Sequence, residues 1–310
     1  MFNMNRREFI SSMGSAALMS SVLIEKIVYG EQAVASAPED AIAVWNRETE
    51  LVAPEDYKAY LQDGNTRGLA SLEKLEAAFD KVFREAKETV VTGAAPAVWS
   101  VYNMGYIVKT RESLFSIDLV HRRDVEFVPL LDFALITHNH GDHRRREFFT
   151  AMDGAGKTIV SNFLRNKGAK ESGLIRGVKT FKFKDVEIRT SLIDHSPTLI
   201  DFTTAFEIKV GNFILYHTGD SGRGTEPKLN TVWGRPDLWL FFPGCGIDVR
   251  AAVKKVNAKR IVFGHLWELA HQRGQSPARL NERLIRPRLV WAKEAGCQDV
   301  SVAFWGDRII

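Results

Sequence analysis

The sequence predicts an α+β fold in which layered sheets are covered by helices. Three observations lead there. After Gly93, short β-type runs follow one another and read as antiparallel hairpins, with the Val210-Gly211-Asn212-Phe213 junction as a tight turn. Helical patterns fall between and after these runs with no regular βαβ repeat. A chain of 310 residues that is 45% hydrophobic and 26% charged can build a core between such layers. No internal repeat, low-complexity tract or linker between two domains is visible.

Residues 38–67 read as polar and irregular, with Gly64-Asn65 as a turn signal. Leu69, Leu72, Leu75, Phe79, Val82, Phe83 and Ala86 then recur at helical spacing, with Glu and Lys on the other face. This predicts an amphipathic helix ending near Thr89, with its phenylalanines in the core. Strands are predicted at 98–102, 106–109, 114–118 and 133–137, and a helix at 143–152. Further strands follow at 159–161, 178–183, 186–193, 203–210, 213–217 and 238–242. Asp248 caps a helix reaching Asn257, and a strand follows at 260–263. Ser276-Pro277 supplies the first cap and first turn of another helix, Pro287 should kink or split it, and Gly296 ends it before a last strand at 300–304.

The first 37 residues read differently. Arg6-Arg7 precede Phe9-Ile10, a short apolar run rich in Ser, Ala and Gly covers 11–24, and small residues recur at Ala33, Ala35 and Ala37. A charged start, an apolar stretch and an A-x-A site describe an export signal, and the paired arginines resemble a twin-arginine signal. The run is too short to span a bilayer core of about 30 Å. The division is therefore a signal peptide at 1–37, an N-terminal extension with its helix at 38–92, and the main domain at 93–310. The expected location is the bacterial periplasm, with the twin-arginine machinery as a partner and no membrane span after cleavage. Removing 1–37 takes away as many acidic as basic residues, so the formal charge stays at +4. The basic residues are scattered, with short clusters at Arg122-Arg123 and Arg144-Arg145-Arg146, which reads as solvated surface and not as a nucleic-acid footprint. Cys245 and Cys297 form no CxxC pair; an exported protein permits their disulfide, and two free thiols fit equally.

Residues 137–143 read Thr-His-Asn-His-Gly-Asp-His and directly follow the apolar run at 133–136. His138 and His140 are two apart in an extended segment and can face one ion together. Gly141 lets the chain turn, so that Asp142 and His143 can face a second. Imidazole and carboxylate are the usual donors for zinc and similar metals. A lone histidine is most simply structural; four such donors within one strand end are not.

This segment resembles the signature of metallo-β-lactamase-fold hydrolases, over about residues 93–304. The resemblance implies a four-layer αββα sandwich. It also implies three further strand-end ligands in the order His, Asp, His, for which His195, Asp220 and His265 stand in place. In that scheme His138, His140 and His195 hold one divalent ion, and Asp142, His143 and His265 hold another. Asp220 bridges them, and Asp142 and Asp220 carry the charge most directly tied to catalysis. Zinc is the expected metal, with manganese and iron left open. Asp118, at the end of a predicted strand, is the candidate acceptor for the second N–H of a ligand imidazole.

His121, Trp267 and His271 lie in loops near these strand ends and are candidate substrate contacts, as are Trp233 and Arg273; His217, inside a strand, reads as structural. A bridging Asp at 220 argues against a true β-lactamase. Hydrolysis of a small lactone or ester is the leading reading. A phosphodiesterase resembling the phospholipase D-type branch is the alternative. A metal-binding protein without turnover is the reading from another class. The leader generates its own test: with Arg6 and Arg7 both changed to Lys, fractionation should find the protein in the cytoplasm, and undiminished export would exclude the twin-arginine route.

Overall fold

The computed structural model describes residues 38–165, 167–169, 173–269 and 282–310. The expected export signal at 1–37, His271, Arg273 and the expected helix start at Ser276-Pro277 lie outside the described residues. No described helix is long and apolar enough to cross a membrane.

Two sheets carry the fold. The first takes β1 (Ala97–Tyr102), β2 (Gly105–Lys109), β3 (Leu114–Ile117), β4 (Phe133–Leu135) and β5 (Thr158–Val160), in that spatial order. The second takes β6 (Lys179–Phe183), β7 (Val186–Ile193), β8 (Thr203–Val210), β9 (Phe213–His217), β10 (Leu238–Phe241), β11 (Arg260–Phe263) and β12 (Asp299–Val302), also in sequential order. Among the described residues, three helices precede the sheets: α1 (Pro38–Glu48), α2 (Pro54–Asp63) and α3 (Ala70–Glu88). Three more are α4 (Arg146–Gly154), α5 (Val249–Val256) and α6 (Glu282–Glu294).

The alternation of side chains along the strands makes the layers. Val98, Tyr106, Val108, Phe115, Phe133 and Leu135 of the first sheet share one cluster with Ile188, Phe206, Ile208, Leu240 and Val262 of the second. The intervening positions, among them Trp99, Ile107, Ala134, Trp239, Phe241 and Ile261, face outward into the cluster that holds the helices. The first sheet and the β9–β12 part of the second are thus apolar on both faces and require a cover on the outer one, whereas Thr180, Lys182, Glu187, Arg189, Glu207 and Lys209 make the outer face of β6–β8 polar. Phe79 of α3 is fully buried, as expected from its stripe, and stacks on His121 at 4.1 Å.

Three expectations need correction. Residues 38–67 are not irregular, since α1 and α2 occupy most of them. The second of them opens on Pro54-Glu55-Asp56, a proline in the first turn followed by acidic residues favourable to the helix dipole. Gly64 closes α2 in the left-handed region at φ 72°, its N–H donating to the Tyr60 carbonyl at 2.9 Å. Ile42, Tyr57 and Tyr60 enter the same core cluster as the first sheet, so burial and not surface amphipathicity stabilises these short helices. Second, the strands are not all antiparallel: β3-β4-β5 and β9-β10-β11-β12 pair in parallel. Short helical crossovers, α4 and α5 among them, make this parallel pairing feasible. Third, α6 runs through Pro287 as one element, and α4 starts at Arg146, because 141–145 form the turn that carries the ligand motif.

One buried charge sets a pH dependence. Asp124 opens a short 3-10 turn after β3, is fully buried, and neither carboxylate oxygen has a hydrogen-bond partner. Burial pushes its carboxyl up to about 7, against the opposing pull of Arg145, whose Nε lies 3.7 Å away. The folded chain therefore keeps this proton where the unfolded chain has lost it. The stability contributed by this group is complete below about pH 4 and is lost as pH rises toward 7. Asp124→Asn should flatten that decline, with the largest gain in urea midpoint over the parent above neutrality; parallel pH profiles for the two proteins would contradict it.

Candidate metal centre

At one edge of the sandwich, strand ends from both sheets present histidines and carboxylates to one another. His138, His140, Asp142 and His143 come from the loop after β4, His195 from the loop after β7, Asp220 from the loop after β9, and His265 from the loop after β11. This loop is tied across the sandwich, because Thr204 N at the start of β8 donates to the Thr137 carbonyl at 2.8 Å.

The donor atoms of His138, His140 and His195 lie within 4.8 Å of one another, and so do those of Asp142, His143, Asp220 and His265. Asp220 reaches both groups. Its carboxylate stands 3.6 Å from His195 Nε2, 3.2 Å from His143 Nε2 and 3.6 Å from His265 Nε2. His138 and His143 are fully buried, and Asp220 and His265 are each 4% exposed. All seven side chains named from the sequence are thus brought together.

The local backbone is shaped to do this. Asp118 sits at φ 44° and His265 at φ 62°, left-handed conformations that non-glycine residues rarely adopt. The Asp118 carboxylate accepts from Thr137 N at 2.7 Å, from Thr137 Oγ1 at 2.6 Å, and from His143 Nδ1 at 2.9 Å. Because the carboxylate accepts, His143 carries its hydrogen on Nδ1 and turns Nε2 toward Asp142 and Asp220. His265 is steadied by Phe242, stacked on its ring at 4.4 Å, and by Asn103, whose carbonyl accepts from His265 N at 3.1 Å. His217 is buried; Gly219 N donates to its Nδ1 at 3.2 Å, which shapes the turn before Asp220.

Charge is concentrated here. Burial works against ionisation of Asp142 and Asp220, but the imidazoles of His143 and His265 outweigh it and hold both carboxyls far below the usual range. Burial likewise opposes charge on His143 and His265, and the carboxylates reverse it, raising His143 well above its ordinary value and His265 to about 9. Burial, reinforced by the neighbouring His143, pushes His138 well below its ordinary value. A buried cluster that favours positive charge this strongly would also favour a cation in place of those protons. The donor set fits one: His143 Nε2, Asp220 Oδ1 and both ring nitrogens of His195 are buried with no hydrogen-bond partner.

Not every expected residue is at the site's surface. His121 is buried, stacked on Phe79, with its Nε2 3.1 Å from the Tyr60 hydroxyl. Trp267 is 3% exposed, stacks on Phe304 and donates from Nε1 to Asn46 Oδ1 at 3.0 Å. Both take part in the packing of the N-terminal helices against the edge. Trp233 donates through its backbone to Glu207, with Lys209 over its ring.

Two site residues escaped the sequence reading. Phe202 sets its ring against His138, His140 and His195, with centroids 5.0–6.0 Å apart. Nothing in its chemistry marks it in the sequence. Cys245, a free thiol, lies within 4.8 Å of donor atoms of His195 and Asp220. Its signal was positional: it follows β10, whose neighbours β9 and β11 each deliver a ligand. Burial, with the Asp220 carboxylate adding to it, pushes the Cys245 thiol well above its ordinary value.

No family model matches the chain. Among solved structures, it superimposes on Igni18, a metallo hydrolase from Ignicoccus hospitalis, with a TM-score of 0.53 at 18% identity, covering 69% of this chain and 97% of that one. The metallo-beta-lactamase fold protein YhfI from Bacillus subtilis aligns with a TM-score of 0.51 at 15% identity, covering 70% of this chain and 100% of that one. The chain has the metallo-β-lactamase fold. CmlA, a diiron beta-hydroxylase from Streptomyces venezuelae, shares this fold over 68% of the chain and 53% of its own, with a TM-score of 0.53 at 14% identity. By sequence, the chain is 29% identical over 157 residues to a UPF0173 metal-dependent hydrolase of Heliobacterium modesticaldum, a match spanning 43% of this chain and 65% of that protein. It is 26% identical over 165 residues to one of Korarchaeum cryptofilum, spanning 50% of this chain and 73% of that protein. In this metallo-β-lactamase fold, α1–α3 precede the first sheet.

The approach of Gly219 to the ligand loop is directly testable. Gly219 is at φ 49°, and a Cβ there would meet Thr137 Oγ1 at 2.7 Å. Gly219→Ala should therefore lower stability by more than about 1 kcal/mol in urea unfolding; an unchanged midpoint would contradict the close contact.

Proposed function

We propose that this chain is a metal-dependent hydrolase that takes two divalent cations, with zinc as the leading metal. The observation that carries the reading is Asp220, whose carboxylate lies between a three-histidine group and a second group formed by Asp142, His143 and His265. His138, His140 and His195 would hold one ion. Asp142, His143 and His265 would hold the other, with Asp220 shared. The similar proteins named UPF0173 metal-dependent hydrolase support the activity class. The fold alone does not, because it also houses a diiron hydroxylase.

Two divalent cations held by these residues would supply an activated water and a Lewis acid for the substrate oxygen. The chain's own residues do the rest. Asp142 and Asp220 offset the cationic charge. Asp118 fixes the orientation of His143 and, through the Thr137 hydroxyl 3.0 Å from His138 Nδ1, that of His138. Phe202 and Phe242 wall the histidines with apolar rings, which exclude water and strengthen every electrostatic contact inside. A small lactone or ester is the leading substrate class, with a phosphodiester as the alternative. Export of the folded enzyme by residues 1–37 remains part of the proposal, resting on Arg6-Arg7 and the apolar run behind them.

The test is metal content measured together with turnover on a simple lactone, an aryl ester and bis-p-nitrophenyl phosphate. Two ions per chain with lactone or ester hydrolysis is the expected result. Turnover of the phosphodiester instead would move the reading to that branch, and two ions without turnover would leave a metal-binding protein. Asp220→Ala should lose metal from both positions and nearly all activity. Asp118→Ala should lose about 10–100-fold in metal affinity and recover in excess metal. Normal occupancy and turnover in Asp220→Ala would remove the shared ligand.

A further inference from the structure

We propose that Cys245 is an eighth ligand, giving the cation held beside His195 and Asp220 a sulfur donor. The inference rests on the two-cation reading and adds a residue to it. Cys245 follows β10 and comes to the cluster from between the loops that bring Asp220 and His265. Its Sγ, one ring nitrogen of His195 and one carboxylate oxygen of Asp220 all lie within 4.8 Å of one another, so a single ion can stand among them. The other two members of this trio are unsatisfied. Asp220 is 4% exposed with an oxygen that has no hydrogen-bond partner, and neither ring nitrogen of His195 has one. The cysteine therefore meets donors already lacking a partner, at a place where a cation would satisfy all three.

Charge and softness both favour the assignment. Two divalent ions bring four positive charges to a site whose carboxylate ligands are Asp142 and Asp220. On coordination the Cys245 thiol gives its proton to solvent and becomes a thiolate, which raises the ligand charge to three. Thiolate is a soft donor that selects zinc and its mimics over manganese, whereas imidazole and carboxylate discriminate less. Cys245 is thus the residue that sets metal preference. The other cysteine serves as an internal control: Cys297 is 2% exposed, and its thiol lies 3.6 Å from the Lys259 carbonyl and 3.5 Å from the Asp299 carbonyl, within the packing of α6 and β12.

The experiment uses the full chain loaded with cobalt(II), read by near-ultraviolet absorption and by elemental analysis. A sulfur-to-cobalt charge-transfer band is expected in the parent and in Cys297→Ser. It should be lost in Cys245→Ser while bound cobalt remains. In competition, Cys245→Ser should also bind a smaller ratio of zinc to manganese than the parent. A parent carrying two cobalt ions without the band overturns the thiolate ligand and leaves the two-cation reading standing. A band that survives in Cys245→Ser also overturns it. A parent that binds no cobalt, zinc or manganese overturns both.

Discussion

The Asp118 carboxylate, fully buried at the end of β3, accepts three hydrogen bonds from the segment that follows β4. Everything at the metal centre depends on that arrangement. It fixes the start of the ligand loop relative to the first sheet, sets the tautomer of His143, and through Thr137 reaches His138. Asp118 takes a left-handed backbone to do so, a conformation that costs on the order of 1–3 kcal/mol and persists only where its surroundings enforce it. The loop is then held from the other side by β8, through the Thr137 carbonyl. Two sheets and one ligand segment are locked together by these hydrogen bonds.

Much of this was legible in the sequence, for identifiable reasons. The runs at 186–193, 203–210, 213–217 and 260–263 coincide with β7, β8, β9 and β11 because each is bounded by a residue that interrupts pairing or by a turn. Asp248 and Asn257 bracket α5 because one accepts from Ala251 N at 3.0 Å and the other adopts a left-handed cap at φ 52°. His138, His140, Asp142 and His143 could be named because four metal donors crowd one strand end, and His195, Asp220 and His265 because the resemblance to metallo-β-lactamase-fold hydrolases implies three further ligands at strand ends. Asp118 could be named by the same strand-end logic.

What escaped depends on long-range packing. The helices α1 and α2 carry weak periodicity and owe their stability to burial against residues far along the chain. Parallel pairing is invisible in a local pattern, since a strand's neighbour is set by where its crossover returns. His121 and Trp267 looked like loop residues near ligands, and they are; but the N-terminal helices cover them, through Tyr60 and Phe79 in one case and Trp45 and Asn46 in the other. Phe202 and Cys245 became visible only once the edge was assembled.

The strictly sequential strand order of both sheets bears on how the molecule reaches its native state. Neighbouring strands are neighbours along the chain, so each sheet can grow by adding the next strand, through a tight turn or a single crossover, at an entropic cost that rises only slowly with the length of the connection. The donor cluster cannot form in this way. Asp142 and His265 are 123 positions apart and meet at 3.0 Å, a contact that exists only after one completed sheet has docked on the other. A ligand captured there recognises the docked state and no earlier one, so its binding free energy acts wholly on the final assembly step.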